Sequence, residues 1–128
     1  MNDALIQAAI EARQFAYAPY SEFRVGAAVE AAGGEVFTGC NVENASIGLT
    51  TCAERNAIAA MIRGGETKWT RIAIATENGA RPCGACLQVL QEFASDPAQC
   101  RAILIAGETP VADFKFVELL PHPFESRG

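Results

Sequence analysis

Little in this 128-residue sequence points to a membrane, a polyanion or a disulfide scaffold. No apolar run approaches the roughly 20 residues that a helix needs to span a bilayer. The opening Met1-Asn2-Asp3 lacks the basic and apolar regions of a signal peptide, so a cytoplasmic location is expected. Basic residues are also scarce: 10 Lys and Arg stand against 15 Asp and Glu, a formal net charge of -5. That balance argues against tight binding to nucleic acid or anionic membrane, and a small neutral substrate suits it better. The single histidine, His122, lies between Pro121 and Pro123 and reads as a free surface imidazole rather than a metal ligand. Repeats, low-complexity tracts and linkers are missing. With 50% hydrophobic and 20% charged residues, residues 1–128 are expected to form one domain with an ordinary core.

Cysteine is better represented. Five is an odd count, and in a reducing compartment such a set suits metal binding or catalysis better than disulfides. Three of the five fall in two short motifs, Thr51-Cys52-Ala53-Glu54-Arg55 and Pro82-Cys83-Gly84-Ala85-Cys86. Zinc takes thiolates readily in a tetrahedron; structural sites fill all four positions with protein, whereas catalytic sites keep one for water. Cys52, Cys83 and Cys86 offer three ligands for one Zn2+ with no obvious fourth. Cys40 and Cys100 are expected to be small packed side chains.

Around these motifs the hydrophobic period alternates between helix and strand. Asn2 to Ala16 reads as an amphipathic helix, capped by Asn2 or Asp3, with Leu5, Ile6, Ala9 and Ile10 on one face. Pro19 breaks it. Val25–Ala31 and Glu35–Gly39, joined by Gly33-Gly34, predict a β-hairpin. The small side chains of its first strand imply a close neighbour, read here as the helix that carries Cys52. In the polar loop from Cys40 to Thr51, Asn41, Glu43 and Asn44 either are simply solvated or hold a sugar's hydroxyls. Helices are predicted over 52–63, ended by Gly64-Gly65, and over 83–94, with Leu87, Val89, Leu90 and Phe93 facing inward. Segments 71–76 and 101–106 read as buried strands, 111–116 as a final strand, and 117–120 as a short helix or turn. Strands alternating with helices imply a layered α/β domain with a mixed sheet.

The spacing of the cysteines has chemical meaning. Cys83 and Cys86, three apart at a helix start after Pro82, face the same way, and Cys52 likewise opens its helix. Both helix N-termini then aim N–H groups and positive dipole ends at the sulfurs, favouring thiolates. Three thiolates leave the site negative, and Arg55 is the nearest cation in sequence to balance them. Glu54, beside the first ligand, is placed to move protons during hydrolysis.

A carboxylate next to the first ligand followed by P-C-x-x-C is the signature of zinc-dependent nucleobase deaminases, with Cys52 where histidine stands in others. Over nearly its whole length the chain resembles the small zinc-dependent cytidine deaminases of pyrimidine salvage. The stretches that carry the resemblance are Tyr20-Ser21-x-Phe23-x-Val25-Gly26-Ala27-Ala28, Gly39-Cys40-Asn41-Val42-Glu43-Asn44-Ala45-Ser46, the two cysteine motifs, and Leu119-Leu120-Pro121 followed by Phe124. The resemblance implies a three-layer α/β/α fold around a mixed, roughly five-stranded sheet. It implies hydrolysis of cytidine and deoxycytidine to uridine, deoxyuridine and ammonia, with Glu54 catalytic and one zinc per subunit. Asn41 and Glu43 would bind the ribose, Phe23 would pack on the base, and Ala53 would contact the substrate. It further implies a homotetramer whose pockets borrow residues from neighbours, Phe124 among them.

Two positions depart from the family pattern: Leu87 stands where arginine is usual, and Ile47 where an aromatic is common. The loop from Glu77 to Arg81 is also shorter than usual. These departures keep a second substrate class open, a modified cytosine nucleoside such as blasticidin S. A non-catalytic zinc-stabilised module, which would need a fourth protein ligand, and a DNA or RNA editor, which the acidic balance disfavours, are the remaining alternatives.

Overall fold

A computed structural model describes residues 3–126 and contains a five-stranded mixed sheet between two helical layers. Helix α1 spans Ala4–Arg13. Asp3 caps it by accepting from the Leu5 N–H at 2.9 Å, while Asn2 lies outside the described residues. The helix stops short of Ala16 because Gln14, Phe15 and Ala16 bond back to carbonyls three residues earlier, tightening the chain into a turn. Strands β1 (Gly26–Ala31) and β2 (Val36–Cys40) form the expected hairpin, followed by α2 (Ala53–Arg63), β3 (Trp69–Thr76), α3 (Gly84–Phe93), β4 (Arg101–Ala106), β5 (Thr109–Lys115) and α4 (Phe116–Leu119). The sheet order is β2-β1-β3-β4-β5, with β3 and β4 parallel across the α3 crossover and the other pairs antiparallel.

Strand alternation divides the core into two layers. Ala27, Val29, Ile72, Ile74, Ala102 and Leu104 face α2 and α3. Their neighbours Ala28, Ala73, Ala75, Ile103 and Ile105 face Leu5 and Ala9 of α1. The small residues of β1 therefore admit two helices, rather than α2 alone. At Gly26 a Cβ would lie 2.3 Å from the Ala9 carbonyl oxygen, so α1 rests directly on the strand backbone. The matching approach of α2 is made on β2: a Cβ at Gly39 would lie 2.5 Å from the Ala57 nitrogen and 2.6 Å from the Ala53 oxygen.

Two further elements anchor the metal-motif helices. The indole of buried Trp69 donates to the Leu90 carbonyl at 2.8 Å and meets the Phe116 ring edge-on, 5.3 Å between centroids. Phe116 thus belongs to the core at the start of α4, where periodicity had placed it in the last strand; β5 instead begins at Thr109 and carries Pro110, which an edge strand tolerates. Gly65, with φ 91°, supplies the left-handed turn that ends α2 after Gly64. Cys100 is buried, Cys40 is half-buried, and His122 is exposed.

Candidate active site

The two cysteine motifs meet where α2 and α3 begin. Cys52 and Cys83 are the N-cap residues of α2 and α3, both in extended conformation, and neither uses its side chain to cap its helix. A serine or aspartate in that position would turn back onto the helix N–H groups; the thiols are left free to point outward. Cys86, in the first turn of α3 and buried, completes the group. The three sulfurs lie within 4.8 Å of one another, and those of Cys83 and Cys86 are 3.5 Å apart. Zinc–thiolate bonds of about 2.3 Å in a tetrahedron require sulfurs about 3.8 Å apart. The donor set therefore fits one zinc ion, and among the described residues no fourth Cys, His, Asp or Glu joins the group.

Charge within the cluster is uneven. Hydrogen bonding from Cys86, followed by the Arg55 guanidinium, holds the Cys52 thiol down at about 5. The same interaction with Cys52, together with burial, pushes Cys86 up, so negative charge settles first on Cys52. Arg55 donates from Nη2 to the Cys52 sulfur at 3.1 Å, and its own pKa is raised chiefly by that bond. Leu87 packs against the hydrophobic core instead of approaching the thiols. Arg55 is thus placed against one of the thiols that sequence reading expected it to balance.

Glu54 occupies the first turn of α2 and is 5% exposed. Burial raises its pKa, and the nearby Cys52 charge adds to the effect. It lines a cavity of about 280 Å³ with the three cysteines, Phe23, Val25, Asn41, Glu43 and Ala53. The structure thus brings together every expected site residue except Phe124, which lies 75% exposed beside Gln88, midway along α3. Arg55 borders a second cavity of about 570 Å³, which shares Ser21, Glu43, Thr50 and Cys52 with the first and is walled by Tyr20 and Ile47.

The polar stretch after β2 is more ordered than its composition implied. Asn41, Val42 and Glu43 run extended between Tyr17 and Thr51, bridged to both through the Tyr17 N–H, the Tyr17 carbonyl and a reciprocal Val42–Thr51 pair. Side chains two apart on an extended chain share a face, so Asn41 and Glu43 both line the cavity. Asn41 is 8% exposed; its Oδ1 accepts from the Val25 N–H at 2.9 Å and its Nδ2 donates to the Phe23 carbonyl at 2.8 Å. Asn56 of α2 donates to the Cys40 carbonyl at 2.8 Å and ties this segment to the metal-motif helix. The loop beyond includes a 3-10 turn, Ile47–Leu49, that sequence periodicity did not reveal.

Residues 1–102 match the family described as the cytidine and deoxycytidylate deaminase zinc-binding region. The chain belongs to this family. It is 43% identical over 122 residues to a cytidine deaminase of Halalkalibacterium halodurans, covering 94% of this chain and 91% of that one. A cytidine deaminase of Mycobacterium tuberculosis is 41% identical over 118 residues, 91% of this chain and 84% of its own. Among solved structures, the cytidine deaminase of Burkholderia pseudomallei superposes with a TM-score of 0.88 at 43% identity, covering 97% of this chain and all of that one. The three-layer α/β fold expected of the family is the fold observed.

Arg81 and Ser21 are site residues that sequence reasoning missed as individuals. Arg81 lines the inner cavity with its guanidinium 5.6 Å from the centre of the Phe114 ring. Ser21 stood within a quoted motif, but nothing in its identity foretold that its hydroxyl would face the Glu43 carboxylate.

Proposed function

We propose that this chain is a zinc-dependent hydrolase that deaminates cytidine and deoxycytidine, giving uridine or deoxyuridine and ammonia. The observation that carries the reading is one cavity bordered by a three-thiolate group, a buried carboxylate and the bridged polar segment Asn41–Glu43. Cys52, Cys83 and Cys86 would hold the metal. When bound, zinc supplies a Lewis acid that makes water a usable nucleophile near neutral pH.

Glu54 does the proton work. Hydrolysis adds a hydroxyl to C4 of the cytosine ring and a proton to the adjacent ring nitrogen; the hydroxyl proton then leaves with the amine as ammonia. A carboxylate whose pKa is raised by burial gains and gives up protons more readily near neutrality than an exposed one. Phe23 and Val25 offer the base an apolar wall, Ala53 borders it beside Glu54, and Asn41 and Glu43 border the sugar, Asn41 with its amide held by the Val25 N–H and the Phe23 carbonyl and Glu43 with a carboxylate acceptor. Arg55 positions Cys52 and offsets its charge.

The reading extends to a homotetramer in pyrimidine salvage, cytoplasmic, with the chain acting as one domain and with Phe124 reaching a neighbouring pocket. Exposed Phe15, Tyr17, Ile47, Leu49 and Phe124 support association, and five free cysteines suit a reducing compartment. No helix among the described residues is long and apolar enough to cross a membrane.

A modified cytosine nucleoside is the second reading, favoured by the 570 Å³ cavity beside the inner one, where 84% exposed Ile47 leaves space for a larger substituent. The test is ultraviolet absorbance over time with zinc-loaded protein and cytidine, deoxycytidine and blasticidin S in parallel. Loss of the cytidine band supports the first reading. A response to blasticidin S alone would transfer the assignment to the second, and a flat trace with all three would sink both.

A further inference from the structure

Ser21 sits between the two residues proposed to meet the nucleoside. Its hydroxyl accepts from the Phe23 N–H at 3.0 Å and donates to Oε2 of Glu43. The other carboxylate oxygen, Oε1, accepts from the Tyr20 N–H at 2.9 Å and the Ser21 N–H at 3.1 Å. This geometry requires a sharp backbone reversal, and Glu22 provides it with φ 60°, the one non-glycine residue at positive φ among those described. Strained backbone of this kind persists where its surroundings over-determine it, and here they do.

A carboxylate offers about four acceptor positions, two on each oxygen. Oε1 is saturated by two backbone donors and Oε2 holds one hydroxyl, so a single position is left toward the cavity. We infer that Ser21 is a positioning residue that makes Glu43 a reader of one sugar hydroxyl: it fixes the carboxylate's rotation and leaves one acceptor site for the ligand. The inference rests on the nucleoside deaminase reading and deepens it by naming what sets sugar selectivity. The same bonds, that from the Ser21 hydroxyl foremost, hold the Glu43 carboxyl below its usual range, so it stays an acceptor.

A one-acceptor site penalises loss of one hydroxyl and ignores loss of the other. Steady-state kinetics with cytidine, 2'-deoxycytidine and 3'-deoxycytidine test this in wild type, Ser21→Ala and Ser21→Thr. In wild type one deoxy analogue should keep kcat/KM near that of cytidine, and the other should lose about 10- to 100-fold, the worth of a hydrogen bond to a charged group. In Ser21→Ala that gap should shrink by at least about 5-fold, through KM for the favoured substrates with kcat little changed. Ser21→Thr, which restores the hydroxyl, should restore the gap. A merely structural serine would lower activity on all three substrates alike. An active Ser21→Ala enzyme with the wild-type gap would overturn the role of Ser21. Inactivity of zinc-loaded wild type on all three would instead overturn the deaminase reading.

Discussion

Arg55 Nη2 and Cys52 Sγ lie 3.1 Å apart across the first turn of α2, so the helix that supplies a metal ligand also supplies that ligand's counter-charge. Partners of this kind orient ligands and tune their basicity, and their removal typically weakens metal affinity about 10- to 100-fold. Arg55→Gln should therefore lose zinc to a competing chelator at correspondingly lower chelator concentration, with an unchanged circular dichroism spectrum. Unchanged zinc affinity would show that the helix N-terminus alone supports the thiolate.

Asn41 has two loads. Its amide satisfies the Val25 N–H and the Phe23 carbonyl, and it borders the inner cavity. Asn41→Ala leaves both backbone groups unpaired and should cost about 2 kcal/mol or more of stability in denaturant titration, besides weakening substrate binding. Glu43→Gln, which keeps an acceptor for the Tyr20 and Ser21 N–H groups, should impair KM with little loss of stability. Equal stability losses in the two would contradict this division.

Gly39 transmits its effect through contact. An added methyl there would meet Ala57 N and Ala53 O at 2.5 and 2.6 Å, and a helix backbone cannot yield as a flexible side chain can. Gly39→Ala should cost on the order of 1–3 kcal/mol as overpacking and should lower zinc occupancy, because the displaced element carries Cys52. Metal analysis of the purified variant checks it.

Asp3 ties the start of α1 to the sheet. Its Oδ2 accepts from Arg71 Nη1 at 2.9 Å, and Arg71 also bonds Glu30 from β1. The bond from Arg71 holds the Asp3 carboxyl below its ordinary value. A depressed folded-state pKa stabilises above the unfolded pKa, and the contribution disappears as pH falls through the folded value. Asp3→Asn keeps a capping oxygen and removes the charge. It should lower stability by about 0.5 kcal/mol at pH 7, and its deficit relative to wild type should shrink as pH falls through and below the usual carboxylate range. Chemical denaturation at several pH values measures the trend; a deficit that grows toward acid would contradict it.

Much of this architecture was legible in the residues. Short continuous apolar runs at 71–76 and 101–106 marked the central strands, Gly33-Gly34 marked the hairpin turn, and Gly64-Gly65 marked the end of the helix that follows Cys52. The metal group was legible because thiolate chemistry constrains both residue type and spacing. What escaped depended on distant partners. Trp69 was missed as a strand residue because its place is set by the Leu90 carbonyl and Phe116. Asn41–Glu43 read as a polar loop, either solvated or holding a sugar's hydroxyls, without its extended course, because its bridging partners, Tyr17 and Thr51, lie in separate loops. Phe124 lies exposed beside Gln88 and is absent from the lining of its own chain's inner cavity.

The central claim is that buried Glu54 moves the protons of a hydrolytic deamination. The direct measurement is single-turnover and steady-state kinetics of cytidine with wild type and Glu54→Gln, each with its zinc content determined. Glu54→Gln should keep one zinc per chain and its affinity for the nucleoside, while kcat falls about 10³-fold or more, as loss of general acid–base catalysis requires. A zinc-replete Glu54→Gln protein that turns over cytidine within a few-fold of wild type would contradict the account.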